Sequence, residues 1–168
     1  MEEEIINRVA NSKLIVVDLE DYYPKGKRTV LDIKDWLFEE LVLREKDFRD
    51  QLKTHDWSQY QDDYVALTCT SDAIVPAWAF MLLTMYLEPY AKKIVLGSLE
   101  QLETSIYQDI IHNLDISSFK DKPLIIKGCV NKPVPANAYI LLSEKLKPIA
   151  QSIMYGEACS AVPLYKRK

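Results

Sequence analysis

PAWAFMLLTMYLEPYAKKIVLG (76–97) and PANAYILLSEKLKPIAQSIMYG (135–156) are two versions of one phrase. Both open on proline, carry a small-residue and leucine pattern, meet a second proline thirteen residues on and close on glycine. Outward from them, residue n and residue n+59 stay in register without a gap from Lys34/Lys93 to Gly97/Gly156. Eighteen of those 64 positions are identical, among them Asp56/Asp115, Asp62/Asp121, Leu83/Leu142 and Leu87/Leu146. Ordinary residue frequencies would give about four. Phe48/Tyr107, Tyr60/Phe119 and Val65/Leu124 are similar pairs. The sequence therefore predicts an internal duplication.

Each copy reads as strand, helix, strand, helix. WLFEEL (36–41) and IVLGSL (94–99) have strand length. LREKDFRDQLKT (43–54) and LETSIYQDIIHN (102–113) space their apolar residues as a helix does: Leu43, Phe48 and Leu52, then Leu102, Ile106 and Ile110. DYVALTC (63–69) and KPLIIKGC (122–129) are near-continuous apolar runs. Such runs suit strands covered on both faces. Pro76 and Pro135 suit helix starts, where a missing N–H is harmless. Pro89 and Pro148 should kink or restart those helices.

Alternation of this kind argues for α/β architecture with a mostly parallel sheet built from two tandem repeats, about 34–97 and 93–156. Upstream, KLIVVDLEDYY (13–23) and KRTVLDI (27–33) flank Pro24-Lys25-Gly26 and read as an N-terminal β-hairpin. No linker or low-complexity segment divides residues 1–168, so the expectation is one domain with an internal duplication.

Composition narrows the function classes. Hydrophobic residues are 48% and charged residues 27%, as in globular chains. A net charge of −4 lacks the electrostatic footprint of a general nucleic-acid binder. No apolar run reaches membrane-spanning length, and MEEEIINRVANS has no signal-peptide pattern, so a cytoplasmic setting is expected. Three well-separated cysteines do not make a disulfide framework.

Those cysteines gain a location from the repeat. Cys69 ends one predicted strand, Cys129 ends its counterpart one position out of register, and Cys159 follows the last strand. Parallel strands would put all three at the carboxyl edge of one sheet, where ligands bind in open α/β folds. The loops 70–76 and 130–135 share that edge, so Ser71, Asp72 and Asn131 join Cys69, Cys129 and Cys159 as candidate ligand-binding residues. Three readings are open. Cys69, Cys129 and Cys159, with Asp72 as a fourth ligand, could hold zinc or an iron–sulfur species. One cysteine could be a nucleophile toward a small anionic substrate, its thiol activated by a helix N-terminus. The plain alternative is that they are small buried apolar residues. Neither His55 nor His112 is placed to form a Cys–His dyad, and four glycines leave no phosphate loop. Trp36, Trp57 and Trp78 suit core or interface anchors, and Trp78 replaces Asn137 of the other copy. That aromatic surface makes a homodimeric interaction module without a small ligand a further alternative.

RVANSKLIVVDLED, LDIKDWLFEELVLREKDFR, HDWSQYQDDYVALTC, SDAIVPAWAFML, KGCVNKPVPANAY and GEACSAVPLYK resemble an uncharacterised bacterial family, the domain of unknown function 2480. The resemblance spans nearly the whole chain. It implies no established activity and transfers no catalytic residue. It implies an association with iron–sulfur cluster assembly, whose proteins become candidate partners.

Overall fold

The computed structural model describes residues 13–128, 131–157 and 159–168. Its strands are β1 (Ile15–Val17), β2 (Arg28–Asp32), β3 (Tyr64–Thr68), β4 (Lys93–Leu96), β5 (Pro123–Ile126), β6 (Ser152–Tyr155) and β7 (Val162–Lys166). Its α-helices are α1 (Glu45–Thr54), α2 (Ala77–Leu87), α3 (Leu99–Asn113) and α4 (Ala136–Leu146). Among the described residues no helix is long and apolar enough to cross a membrane.

The strands form two sheets. One has the order β2-β3-β4 and is parallel throughout. The other has the order β1-β5-β6-β7, parallel except for the last, antiparallel pair. The chain divides accordingly into a central unit, Pro24–Ile106, and a split unit formed by the segments up to Tyr23 and from Tyr107 onward. The fold class is mixed α/β and mostly parallel, as the alternating pattern predicts.

The single sheet expected from sequence is two sheets, and the N-terminal hairpin does not form. β1 pairs in parallel with β5, and β2 pairs in parallel with β3 over five residues. Local chemistry ends β1 at once: Asp18 accepts the N–H of Glu20 and caps a 3-10 turn at Leu19–Tyr22. The carbonyl of Val17 is taken by the N–H of Lys127.

The run 36–41 is not a strand either. Lys34–Trp36 is a 3-10 turn, and Glu39 and Glu40 have φ of 50° and 58°. Two successive left-handed residues reverse the chain, and Phe38 and Val42 close the turn with mutual backbone hydrogen bonds. The run 94–99 splits. β4 stops at Leu96, and Ser98 with Gln101 forms a capping box for α3: Ser98 N–H donates to Gln101 Oε1 at 2.7 Å, and Gln101 N–H donates to Ser98 Oγ at 3.2 Å.

The first strand of each unit lies upstream of the expected place. VVDLEDYY (16–23) and VLDIKDWL (30–37) match at a spacing of 14, each with a strand, an aspartate that accepts the N–H two residues on and a 3-10 turn in the same order. Later elements repeat at a spacing of 59. α2 and α4 have bounds 77–87 and 136–146, and β4 and β6 have bounds 93–96 and 152–155. Both helices end two residues before a proline rather than kinking at it. Asp62 and Asp121 share φ of 61° and 55°, and their N–H groups donate to the carbonyls of Tyr90 and Ile149.

Each unit has its own core on the same pattern. In the central unit Leu31, Ile33, Phe48, Leu52, Ala79, Leu83 and Leu87 are buried together. In the split unit Val17, Leu19, Tyr107, Ile111, Ala138, Leu142 and Leu146 take the matching places. Three consecutive buried residues in β3 (65–67) and in β5 (124–126) fit strands covered on both faces.

Candidate functional site

The carboxyl edge of β2 and β3 is organised by Asp32. Its carboxylate accepts the N–H of Lys34 at 3.0 Å, the N–H of Thr70 at 3.2 Å and the hydroxyl of Thr70 at 2.5 Å. One side chain thereby ties together the ends of two neighbouring strands. Burial opposes ionisation of Asp32, yet those hydrogen bonds outweigh it and hold the carboxyl below its ordinary range. Beyond β3, half-buried Cys69 places its Sγ 3.2 Å from Ser71 Oγ, which accepts the N–H of Ala73 at 3.3 Å. An open cleft of about 390 Å³ lies here, lined by Lys34, Glu39, Glu40, Leu41, Thr70, Ser71 and Asp72. The Lys34 ammonium is 3.0 Å from Glu40, and that contact raises its pKa.

The same edge of the split unit is bridged by its own side chains. Asp18, the counterpart of Asp32, receives the Lys127 ammonium at 2.7 Å. Burial again opposes ionisation, and the bonds from Lys127 and from the Glu20 N–H hold the Asp18 carboxyl below its ordinary range. Glu20, the counterpart of Lys34, accepts the backbone N–H groups of Asn131 and Lys132. The Lys132 ammonium returns to the Glu20 carbonyl at 3.1 Å.

The predicted site residues therefore separate. Cys69, Ser71 and Asp72 lie in the central unit, whereas Asn131 and exposed Cys159 lie in the split unit. Cys129 lies outside the described residues. The expectation that all three thiols follow strands of one sheet fails, because β3 and β6 belong to different sheets. Among the described residues no group of three or more His, Cys, Asp and Glu side chains is arranged to hold a metal ion. His55 is engaged elsewhere: Nε2 is 3.0 Å from the Tyr60 hydroxyl, and its ring lies edge-on to Trp36 and Trp57.

A second feature of the central unit is a groove of about 530 Å³ between α1 and α2, lined by Glu45, Arg49, Trp78, Met81, Leu82 and Met85. Helix α2 is apolar nearly all round, yet Met81 and Met85 are 65% and 64% exposed. An all-apolar helix is ordinarily buried on every side. The corresponding groove of the split unit is lined by Gln108, Ile111, His112, Leu141, Glu144 and Lys145. Trp78 and Met85 in place of Asn137 and Glu144 are the sequence signal that the outer faces of α2 and α4 differ.

A family model described as protein of unknown function (DUF2480) matches residues 3–167. The chain belongs to this family. The match covers both units. No curated protein and no solved structure matches the chain.

Proposed function

We propose that this DUF2480 protein is an accessory binding protein made by duplication of one β-α-β-α-β unit, with its ligand site at the carboxyl edge of the central sheet. The observation that carries this reading is the contrast between the two edges. Among the described residues the split unit spans its edge with the Lys127–Asp18 bond and the Glu20 carboxylate, and the central unit has a cleft of about 390 Å³ there. The duplication is supported by matching element bounds, matching left-handed residues and matching cores.

The ligand class we favour is a thiophilic metal species, zinc or an iron–sulfur fragment, passed to or from an iron–sulfur assembly partner. Cys69 offers one soft donor and Asp72 one hard donor. That set falls short of the four ligands of a closed structural site. A partner supplying the rest is consistent with transfer rather than storage. Nucleophilic catalysis has less support, since Cys69 bonds Ser71 and His55 bonds Tyr60.

Anaerobic loading with zinc, or with iron and sulfide, tests the reading. Wild-type protein and Cys159→Ser should retain metal after desalting, and Cys69→Ser should not. Equal retention by Cys69→Ser, or no retention by wild type, would overturn it.

A further inference from the structure

We infer that the α2 face of the central unit is an isologous interface with a second copy of this chain. The split unit shows that the fold does not require an apolar outer face. At matching places it carries Asn137 for Trp78, Ile140 for Met81 and Glu144 for Met85, while Ala79/Ala138, Leu83/Leu142 and Leu87/Leu146 stay buried. Trp78 lies edge-on to Phe48 of its own unit and is 37% exposed, and Ile140 is as exposed as Met81, so the contrast with the split unit lies in the uncovered part of Trp78 and in Met85.

The arrangement of the face selects a second copy as the occupant. Trp78, Met81, Met85 and Glu88 are spaced 3, 4 and 3 residues apart, a continuous stripe along one side of a helix. A two-fold axis midway between Met81 and Leu82 sets two such helices antiparallel. Trp78 then meets Met85 of the second copy, an aromatic against a pliant thioether, and Met81 meets Leu82 of the second copy. The charges complete the match. Arg49 lies 5.9 Å from the Trp78 ring, at the start of α2, and exposed Glu88 lies just past its end. The same axis brings the Arg49 guanidinium of each copy toward the Glu88 carboxylate of the other. Aromatic, methionine and arginine side chains are what interface centres favour. This inference is independent of the ligand at the sheet edge, since it uses neither Cys69 nor the cleft.

Sedimentation velocity on the full chain through the micromolar range tests it. Wild type should be a dimer. Met81→Glu sets two carboxylates against each other at the axis and should weaken the dimer by at least about thirtyfold. Ile140→Glu, the same change in the split unit, should leave it intact. The double variant Trp78→Asn/Met85→Glu installs residues the fold already carries at 137 and 144, so it should fold and be monomeric. Arg49→Glu and Glu88→Arg should each weaken association, and together should restore it. A monomeric wild type overturns the inference, whether the groove is then filled by another protein or by residues 1–12. A Met81→Glu dimer as tight as wild type overturns it too.

Discussion

Helices α2 and α4 have the same length, the same proline before them and the same three buried positions, yet their outer faces differ at two of three exposed places. One shows Trp78, Met81 and Met85 to its surroundings, and the other shows Asn137, Ile140 and Glu144. The sheet edges differ in the same sense. The split unit satisfies its polar loop groups with Glu20 and Lys127, and the central unit has a cleft at that place. Positions buried in both units are held by packing. Positions that diverge are free of that constraint, and there a separate function is best sought.

The largest test of the comparison is in the cores. Leu83 and Leu142 are both fully buried on equivalent turns. Leu83→Ala and Leu142→Ala should each lower unfolding free energy by about 2–5 kcal/mol. Urea denaturation measures both. A tolerated change at either position would mean that the two cores are not packed alike.

The glycines after β4 and β6 sharpen it further. Gly97 and Gly156 have φ of +144° and +118°, conformations an L side chain adopts at a cost of about 1–3 kcal/mol. A Cβ on Gly97 would collide with Gln101 Oε1 and displace the cap of α3, whereas one on Gly156 would be 3.3 Å from the Ser160 carbonyl oxygen. Gly97→Ala should therefore shift the thermal midpoint more than Gly156→Ala. The reverse order would show that the capping box contributes little.

The smallest expected effect belongs to His55, held among Trp36, Trp57 and Tyr60 in the central unit. Burial lowers its pKa below the ordinary 6.5, against the charge of Asp56. The folded state then takes up a proton less readily than the unfolded state. The stability from His55 is complete above about 6.5 and declines as pH falls from there toward the folded pKa. His55→Gln should flatten that part of the stability–pH curve. An unchanged slope would mean that the aromatic surroundings do not exclude the proton.

Much of the pattern was legible in the chain because it is periodic. The spacing of 59 placed α2 and α4 and the buried strands β3 and β5, since helices and strands impose their own repeat on apolar residues. The opening strands were misread for a physical reason. β1 and β2 are adjacent in sequence and flank Pro24-Lys25-Gly26, which mimics a hairpin turn, while their partners lie 109 and 36 residues away by register. Local signals carry no information about pairing at that range. The match of VVDLEDYY to VLDIKDWL would have revealed two equivalent first strands.

The candidate site was legible as positions and not as a constellation. Cys69, Ser71 and Asp72 do follow a strand end, as the apolar run before them implied. That Cys159 follows a strand of another sheet depended on strand order, which no repeat specifies. By itself the sequence determined the four helices, the buried strands β3 and β5 and the family, because these follow from local stereochemistry and residue pattern. Only the tertiary structure decided which strands share a sheet, which edge is open and which face of α2 is uncovered, because those depend on contacts between residues far apart in the chain.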